Sequence, residues 1–278
     1  MDKVLTLEEL QKLNTENLRI FAEFCEENNL LYFLGGGTLL GAIRHQGCIP
    51  WDDDIDINMP RPDYMKLIEL AKDGIGEHLR LNTRYLDNHC PSSIIRVYDT
   101  RTEITFDNFT VPWKIGAWID LFPFDGLPQN KWQRKIHFKK MRLAMDLYII
   151  SVTKFGGKRR NKTATLLQYL AFPLWPITRW IGYERILSYI DRLARKYHIY
   201  ESDDFACIEG RAEEREAMPR KDYLKTVKVK FGDYYFNAPS CYDYYLKCLY
   251  GDYMKLPPEK ERCSRHEIKI KWKEKRQG

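Results

Sequence analysis

Three aspartates in two short stretches carry the chemistry of this sequence. In Asp52-Asp53-Asp54-Ile55-Asp56-Ile57-Asn58-Met59, acid and isoleucine alternate with the period of a strand. Residues two apart on a strand share a face, so Asp54 and Asp56 present their carboxylates side by side while Ile55 and Ile57 turn into the core. By the same rule Asp52 shares their face and Asp53 points away. Neighbouring carboxylate oxygens suit a hard divalent ion such as Mg²⁺ or Mn²⁺, which takes one or two carboxylates from a protein and leaves positions for substrate phosphates. Without a cation the like charges repel, which is a reason to expect one. A third acid, Asp120, is embedded in Trp118-Ile119-Asp120-Leu121-Phe122, where a partly buried carboxylate needs a partner or a metal. Asp54, Asp56 and Asp120 on neighbouring strands would bind the metal and activate a hydroxyl.

A phosphate-binding element lies just upstream. The apolar run Leu30 to Leu34 has the look of a buried strand and leads into Gly35-Gly36-Gly37-Thr38 and a short helix through Leu39, Leu40, Ala42 and Ile43. Glycines let the backbone approach phosphate oxygens, and a helix starting at Thr38 offers free amides at its positive end, so Gly36, Gly37 and Thr38 are candidate donor-binding residues. Arg44, two turns into that helix, could reach a phosphate; the plainer alternative is a surface ion pair.

The elements that must hold these groups form an α+β pattern. Thr6 and Glu9 make a capping box ahead of Leu7, Leu10, Leu18, Phe21 and Cys25 at helical spacing, which predicts an opening amphipathic helix ending near Asn28 and Asn29. After the acids a helix is expected from about Asp63 to Lys72. Strands follow at Leu79 to Thr83, Ile94 to Tyr98, Glu103 to Phe106 and Ala117 to Phe122. Lys131 to Tyr197 is largely helical, and the tail returns to a hairpin, Thr226 to Lys230 with Tyr234 to Phe236, and a short helix near Cys241 to Tyr250. A mixed sheet with flanking helices thus fills the first half, and helices dominate the second. The expected division is a catalytic core over 1–130, a basic and aromatic helical region over 131–200, and a C-terminal hairpin and helix over 201–278 completing the site.

Charge and composition narrow the partners. The 278 residues carry 45 Lys and Arg against 39 Asp and Glu, and the excess is concentrated: between Lys131 and Tyr200 stand 16 basic residues and 3 acidic ones. Such a segment seeks an anionic partner, and nucleic acid, an anionic membrane or a phosphorylated substrate each qualifies. Within it, Ala164 to Gly182 is apolar and aromatic, interrupted by Pro173, Pro176 and Arg179, so a regular membrane-spanning helix is not expected. Flanked by Lys158, Arg159, Arg160 and Lys162, the stretch suits a membrane interface; the alternative is an internal helix pair closing a core, and the basic surplus favours the membrane, through 158–182. Seven cysteines, odd in number and without a repeated spacing, indicate neither a disulfide framework nor a CxxC zinc site, and Cys241, Cys248, Cys263 and His266 match no zinc spacing. Met1 to Leu10 lacks a signal pattern, so a cytoplasmic protein with reduced thiols is expected, peripheral at the inner face of the membrane.

The block GGGTLLGAIRHQGCIPWDDDIDINMPRPDY over Gly35 to Tyr64, WIDLFPFDGLP over Trp118 to Pro128, and the tail YGDYMKLPPEKER over Tyr250 to Arg262 with His266 resemble the LicD family, the phosphorylcholine transferases. That family is similar in turn to the DNA polymerase beta-like nucleotidyltransferases, and the fukutin-related transferases share its Asp-x-Asp core. The resemblance implies a nucleotidyltransferase fold in which Asp54 and Asp56 hold Mg²⁺ and Asp120 completes the site as third ligand or as base. It also implies a CDP-alcohol donor with CMP leaving, CDP-choline foremost, and as acceptor a sugar hydroxyl of a cell-surface glycan: a teichoic acid, lipopolysaccharide or capsule precursor, lipid-linked. Ribitol-phosphate and glycerol-phosphate transfer are the alternatives within the family. A quaternary ammonium would need an aromatic box, for which Trp51, Tyr98, Trp113, Trp118 and Phe122 are candidates, each with packing in the core as its alternative. Nucleic acid is not the expected partner. From other classes come a nucleotidyltransferase acting on nucleic acid and a non-catalytic glycan- or lipid-binding module, against which retention of all three acids argues.

Overall fold

A computed structural model describes residues 4–106, 109–111, 113–154, 172–210, 213–263 and 269–273. The opening helix α1 (Leu7–Glu27) starts on the expected capping box: Thr6 Oγ1 accepts the Glu9 amide at 3.2 Å, and the Glu9 carboxylate accepts the Thr6 amide at 2.9 Å. Its apolar stripe of Leu10, Leu18, Phe21, Ala22 and Cys25 is buried against the sheet. Of the expected strand Leu30 to Leu34 only β1 (Phe33–Leu34) joins the sheet, and α2 (Gly36–His45) begins two residues before Thr38. Next come β2 (Asp56–Pro60), α3 (Arg61–Leu70), β3 (Leu79–Asn82), β4 (Ile95–Asp99), β5 (Thr102–Thr105), β6 (Lys114–Ile115) and β7 (Trp118–Gly126).

Helices fill the following stretch: α4 (Lys131–Val152), whose cap Asn130 accepts the amides of Trp132 and Gln133, then α5 (Leu174–Ile181) and α6 (Tyr183–Ala194). The chain returns through β8 (Asp204–Ala206), β9 (Met218–Pro219) and α7 (Arg220–Tyr223) to the hairpin β10 (Thr226–Phe231) and β11 (Tyr234–Pro239), then α8 (Tyr242–Tyr250) and β12 (Lys271–Trp272). The fold is α+β.

The main sheet runs β1-β2-β7-β4-β3, with β8 pairing onto β7 and β9 onto β8. Only the central pair β2 and β7 is parallel. The largest apolar core joins α1, α2, the sheet, the hairpin and α8, so residues from the first and last thirds of the chain share one interior. A second core lies between α4, α6 and β8, and a third under β5 and β6. At the far end of β7, the buried Arg61 guanidinium ties α3 to the sheet, donating from Nε to Asp125 at 2.8 Å and from Nη2 to Glu209 at 3.1 Å. Burial pushes the Glu209 carboxyl up to about 7 despite that bond.

Candidate active site

The parallel pairing of β2 and β7 builds the site. Its register sets Asp56 opposite Asp120, and the Asp120 amide donates to the carbonyl of Ile55 at 2.8 Å. Asp54 approaches along the same edge, so that carboxylate oxygens of Asp54, Asp56 and Asp120 lie within 4.8 Å of one another. Ile55 and Ile57 are buried on the other side, as the alternation requires.

The strand rule does not extend upstream of Asp56. Residues 52–55 lie outside β2, and the carboxylates of Asp52, Asp53 and Asp54 also converge within 4.8 Å. The expectation that Asp53 points away is therefore corrected: alternation holds only where a ladder enforces the pleat.

The glycine turn lies directly on the acids. A Cβ at Gly35 would stand 2.7 Å from Asn58 Oδ1, one at Gly36 2.9 Å from Asp56 Oδ2, and one at Gly37 2.8 Å from Asp52 Oδ2; Gly36 also holds a φ of +41°. A side chain at Gly36 or Gly37 would displace a carboxylate, and one at Gly35 the Asn58 amide. No side chain caps α2. Thr38, in the first turn of α2, accepts the Asp56 amide on Oγ1 at 2.8 Å and so fixes where β2 begins. Arg44 sits about 12 Å along the helix axis from Gly36. It donates to the carbonyls of Tyr253 at 2.9 Å and Lys255 at 3.4 Å and to His45 at 3.0 Å, fastening the C-terminal segment to α2.

Burial, and after it the charges of Asp54, Asp120, Asp52 and Glu216, raise the proton affinity of Asp56 well above that of an ordinary carboxylate. Asp120 has its charge offset. Arg96, its antiparallel neighbour on β4, donates from Nε to Asp120 Oδ1 at 2.6 Å, and the Trp118 indole donates to Oδ2 at 3.0 Å. The Arg96 guanidinium lies 4.6 Å from the centre of the Trp113 ring and 5.6 Å from that of Trp118, while Phe106 stacks on Trp113 at 4.6 Å. Two of the aromatic residues expected to box a substrate cation thus already flank one belonging to the protein. Of the others, Trp51 faces Arg262 and His45, while Tyr98 and Phe122 pack at the edges of cores.

Residues far along the chain form the remaining wall. The Gly36 amide and the Asn58 side chain donate to the Tyr245 hydroxyl at 3.4 and 3.2 Å, and that hydroxyl donates to Glu216 at 3.3 Å. Burial pushes the Glu216 carboxyl up to about 7.

Residues 29–145 match the family model described as LicD/FKTN/FKRP, nucleotidyltransferase domain. Over 268 residues, 95% of this chain and 97% of the relative, the sequence is 28% identical to the lipopolysaccharide cholinephosphotransferase LicD of Haemophilus influenzae. Both comparisons make the chain similar to the LicD family. A shorter match, 48% identical over 48 residues, covers 17% of this chain and 18% of an uncharacterized protein of Rickettsia prowazekii. The stretch that matches the family model contains all three acids and the glycine turn; Glu216 and Tyr245 lie outside it.

Sequence reasoning missed Arg96, Glu216 and Tyr245. Arg96 left a signal, since a lone cation between Ile95 and Val97 on a strand must face the same side as its cross-strand partner. Glu216 and Tyr245 left none, because their place beside Gly36 depends on long-range packing. His266 lies outside the described residues, and among those described Cys241, Cys248 and Cys263 join no potential metal-binding group.

Proposed function

We propose that the chain transfers phosphocholine from CDP-choline to a sugar hydroxyl of a cell-surface glycan, with CMP leaving. The observation that carries this reading is the convergence of the Asp54, Asp56 and Asp120 oxygens within 4.8 Å under the α2 glycine turn, in a chain 28% identical over nearly its whole length to a lipopolysaccharide cholinephosphotransferase. Three hard oxygen donors, one of them with its proton affinity raised by burial and then by the neighbouring acids, fit Mg²⁺ or Mn²⁺. When bound, such an ion supplies Lewis acidity to the phosphoryl oxygens and offsets charge on the departing nucleotide.

The chain's own groups do the rest. Asp54 and Asp56 hold the ion, and Asp120, oriented by Arg96 and Trp118, serves as third ligand. Gly36, Gly37 and Thr38 in the first turn of α2 bind the donor phosphates, to which the backbone can come close only because the turn is glycine. Arg44 serves the donor by anchoring the C-terminal segment. The acceptor hydroxyl gives its proton to a carboxylate of the acid cluster as its oxygen bonds the phosphorus that carries choline; the bond from that phosphorus to the CMP oxygen breaks, and the electron pair leaves with CMP. Residues 1–130 are assigned the catalytic core, 131–200 a basic and aromatic helical region at the membrane and 201–278 the C-terminal hairpin and helix that complete the site; the protein acts in the cytoplasm, at the inner face of the membrane that presents a lipid-linked acceptor.

Incubating the protein with Mg²⁺, a lipopolysaccharide or teichoic acid precursor and each of CDP-choline, CDP-ribitol and CDP-glycerol tests this. Acceptor-dependent CMP release is expected with CDP-choline. Release with another donor alone reassigns the alcohol, and silence with all three overturns the reading.

A further inference from the structure

A second apolar face of α4 points away from the core. His137, Phe138, Met141, Ala144 and Tyr148 form its buried side, yet Trp132 is 77% exposed, Ile136 49% and Leu143 62%, at spacings of four and seven residues that put them on one outward stripe with Leu147. Leu143 and Leu147 run into an open groove of about 350 Å³ shared with Ile181 and Tyr189, with Lys140 and Arg185 among its lining. From there α5 continues the surface: Leu174, Ile177 and Trp180 repeat every three residues, and Trp180 is 82% exposed. Soluble surfaces scatter such residues singly, and two nearly bare indoles on one helical layer are not ordinary packing.

The charge around this face has one sign. The α4 helix bears six Lys and Arg against a single acid, Asp146, and Lys131, Lys135, Lys139 and Lys140 border the stripe. Among the described residues no helix is long and apolar enough to cross a membrane.

We infer that the outward face of α4 with α5 docks on an anionic lipid surface, its indoles and aliphatic side chains at headgroup depth and its lysines against lipid phosphates. The surface joins α4 to α5, which is the last part of the 158–182 stretch expected to touch the membrane; residues 158–171 of that stretch lie outside the described residues. It deepens the transferase reading by bringing the site to a lipid-linked acceptor, but rests on separate residues.

The test is co-sedimentation of the full chain with vesicles of phosphatidylcholine alone or mixed with phosphatidylglycerol. Binding is expected only to the mixed vesicles, falling with salt, weakened about fivefold for each lysine lost in Lys135→Gln/Lys139→Gln and abolished in Trp132→Ser/Trp180→Ser. Both variants should release CMP normally with a soluble acceptor, so loss of docking is separable from failure of the transferase reading. Absence of binding to mixed vesicles, binding that neither variant changes, or a self-associated state that the tryptophan variant disperses without any vesicle binding would overturn the inference.

Discussion

Replacing Asp56 by Asn interrogates the acid cluster through stability and activity together. Two like unit charges 4.8 Å apart repel by about 3 kcal/mol at an effective dielectric constant of about 20, and Asp54 and Asp120 both have oxygens within 4.8 Å of Asp56. Part of this repulsion is already relieved, because Asp56 holds its proton more tightly than usual and Arg96 offsets the charge on Asp120. The remaining relief on removing the charge is about 1–2 kcal/mol, a rise of about 2–6 °C in Tm for a chain of this size. The sign follows from linkage: the folded Asp56 titrates above its unfolded value, so ionising it costs stability as pH rises, and the two proteins converge in acid. Thermal unfolding with and without Mg²⁺, at neutral and acidic pH, alongside CMP release, reads all of this. Without metal the variant should melt higher than wild type, with Mg²⁺ it should gain less, and it should not turn over. A variant that melts lower without metal, or gains the full Mg²⁺ shift, refutes the assignment of this cluster to a cation.

Asp120→Asn should behave oppositely in stability while also losing turnover: it leaves the half-buried Arg96 guanidinium without its carboxylate, costing about 1–3 kcal/mol, and an unchanged melting temperature would deny Arg96 its role as counter-charge. Glu209 predicts a pH dependence far from the site. Its carboxyl moves from an ordinary 4.5 up to about 7 in the fold, so the stability it contributes is complete below about 4.5 and drains away as pH rises through 7, by about 3 kcal/mol in all. Glu209→Gln should flatten urea-unfolding stability across that window, and a persistent slope would place the titration elsewhere.

How much of this was legible depended on whether the deciding interaction is local. The capping box of α1 and the burial of Ile57 follow from spacings of two to four residues, and the structure has them; Ile55 is buried and Asp54 lies beside Asp56 although both stand outside the strand. Asp53 escaped because the strand begins at Asp56, so the pleat had no ladder to enforce it upstream. The N-terminus of α2 moved to Gly36 because Thr38, read as the helix start, is engaged by the Asp56 amide from inside the first turn. Glu216 and Tyr245 were invisible for a different reason: more than 150 residues separate them from Gly36, and only the shared core of the first and last thirds of the chain brings them there.

The glycine turn and the acid cluster are one device. In the proposed reading the donor phosphates need a backbone that a ligand can approach and the acids need room; the space the missing Cβ atoms leave at Gly36 and Gly37 is taken by Asp56 and Asp52, and that at Gly35 by Asn58. The Thr38 hydroxyl then sets the start of β2 against α2, and the parallel register of β2 with β7 delivers Asp120. Charge is graded across the trio: Arg96 compensates Asp120 from β4, while Asp56, flanked by acids alone, bears the repulsion. A fold selected for stability alone would not keep Asp56 in that position, because Asn fits the same space without the repulsion. The uncompensated carboxylate of Asp56 is therefore the observation on which the proposed cation site rests.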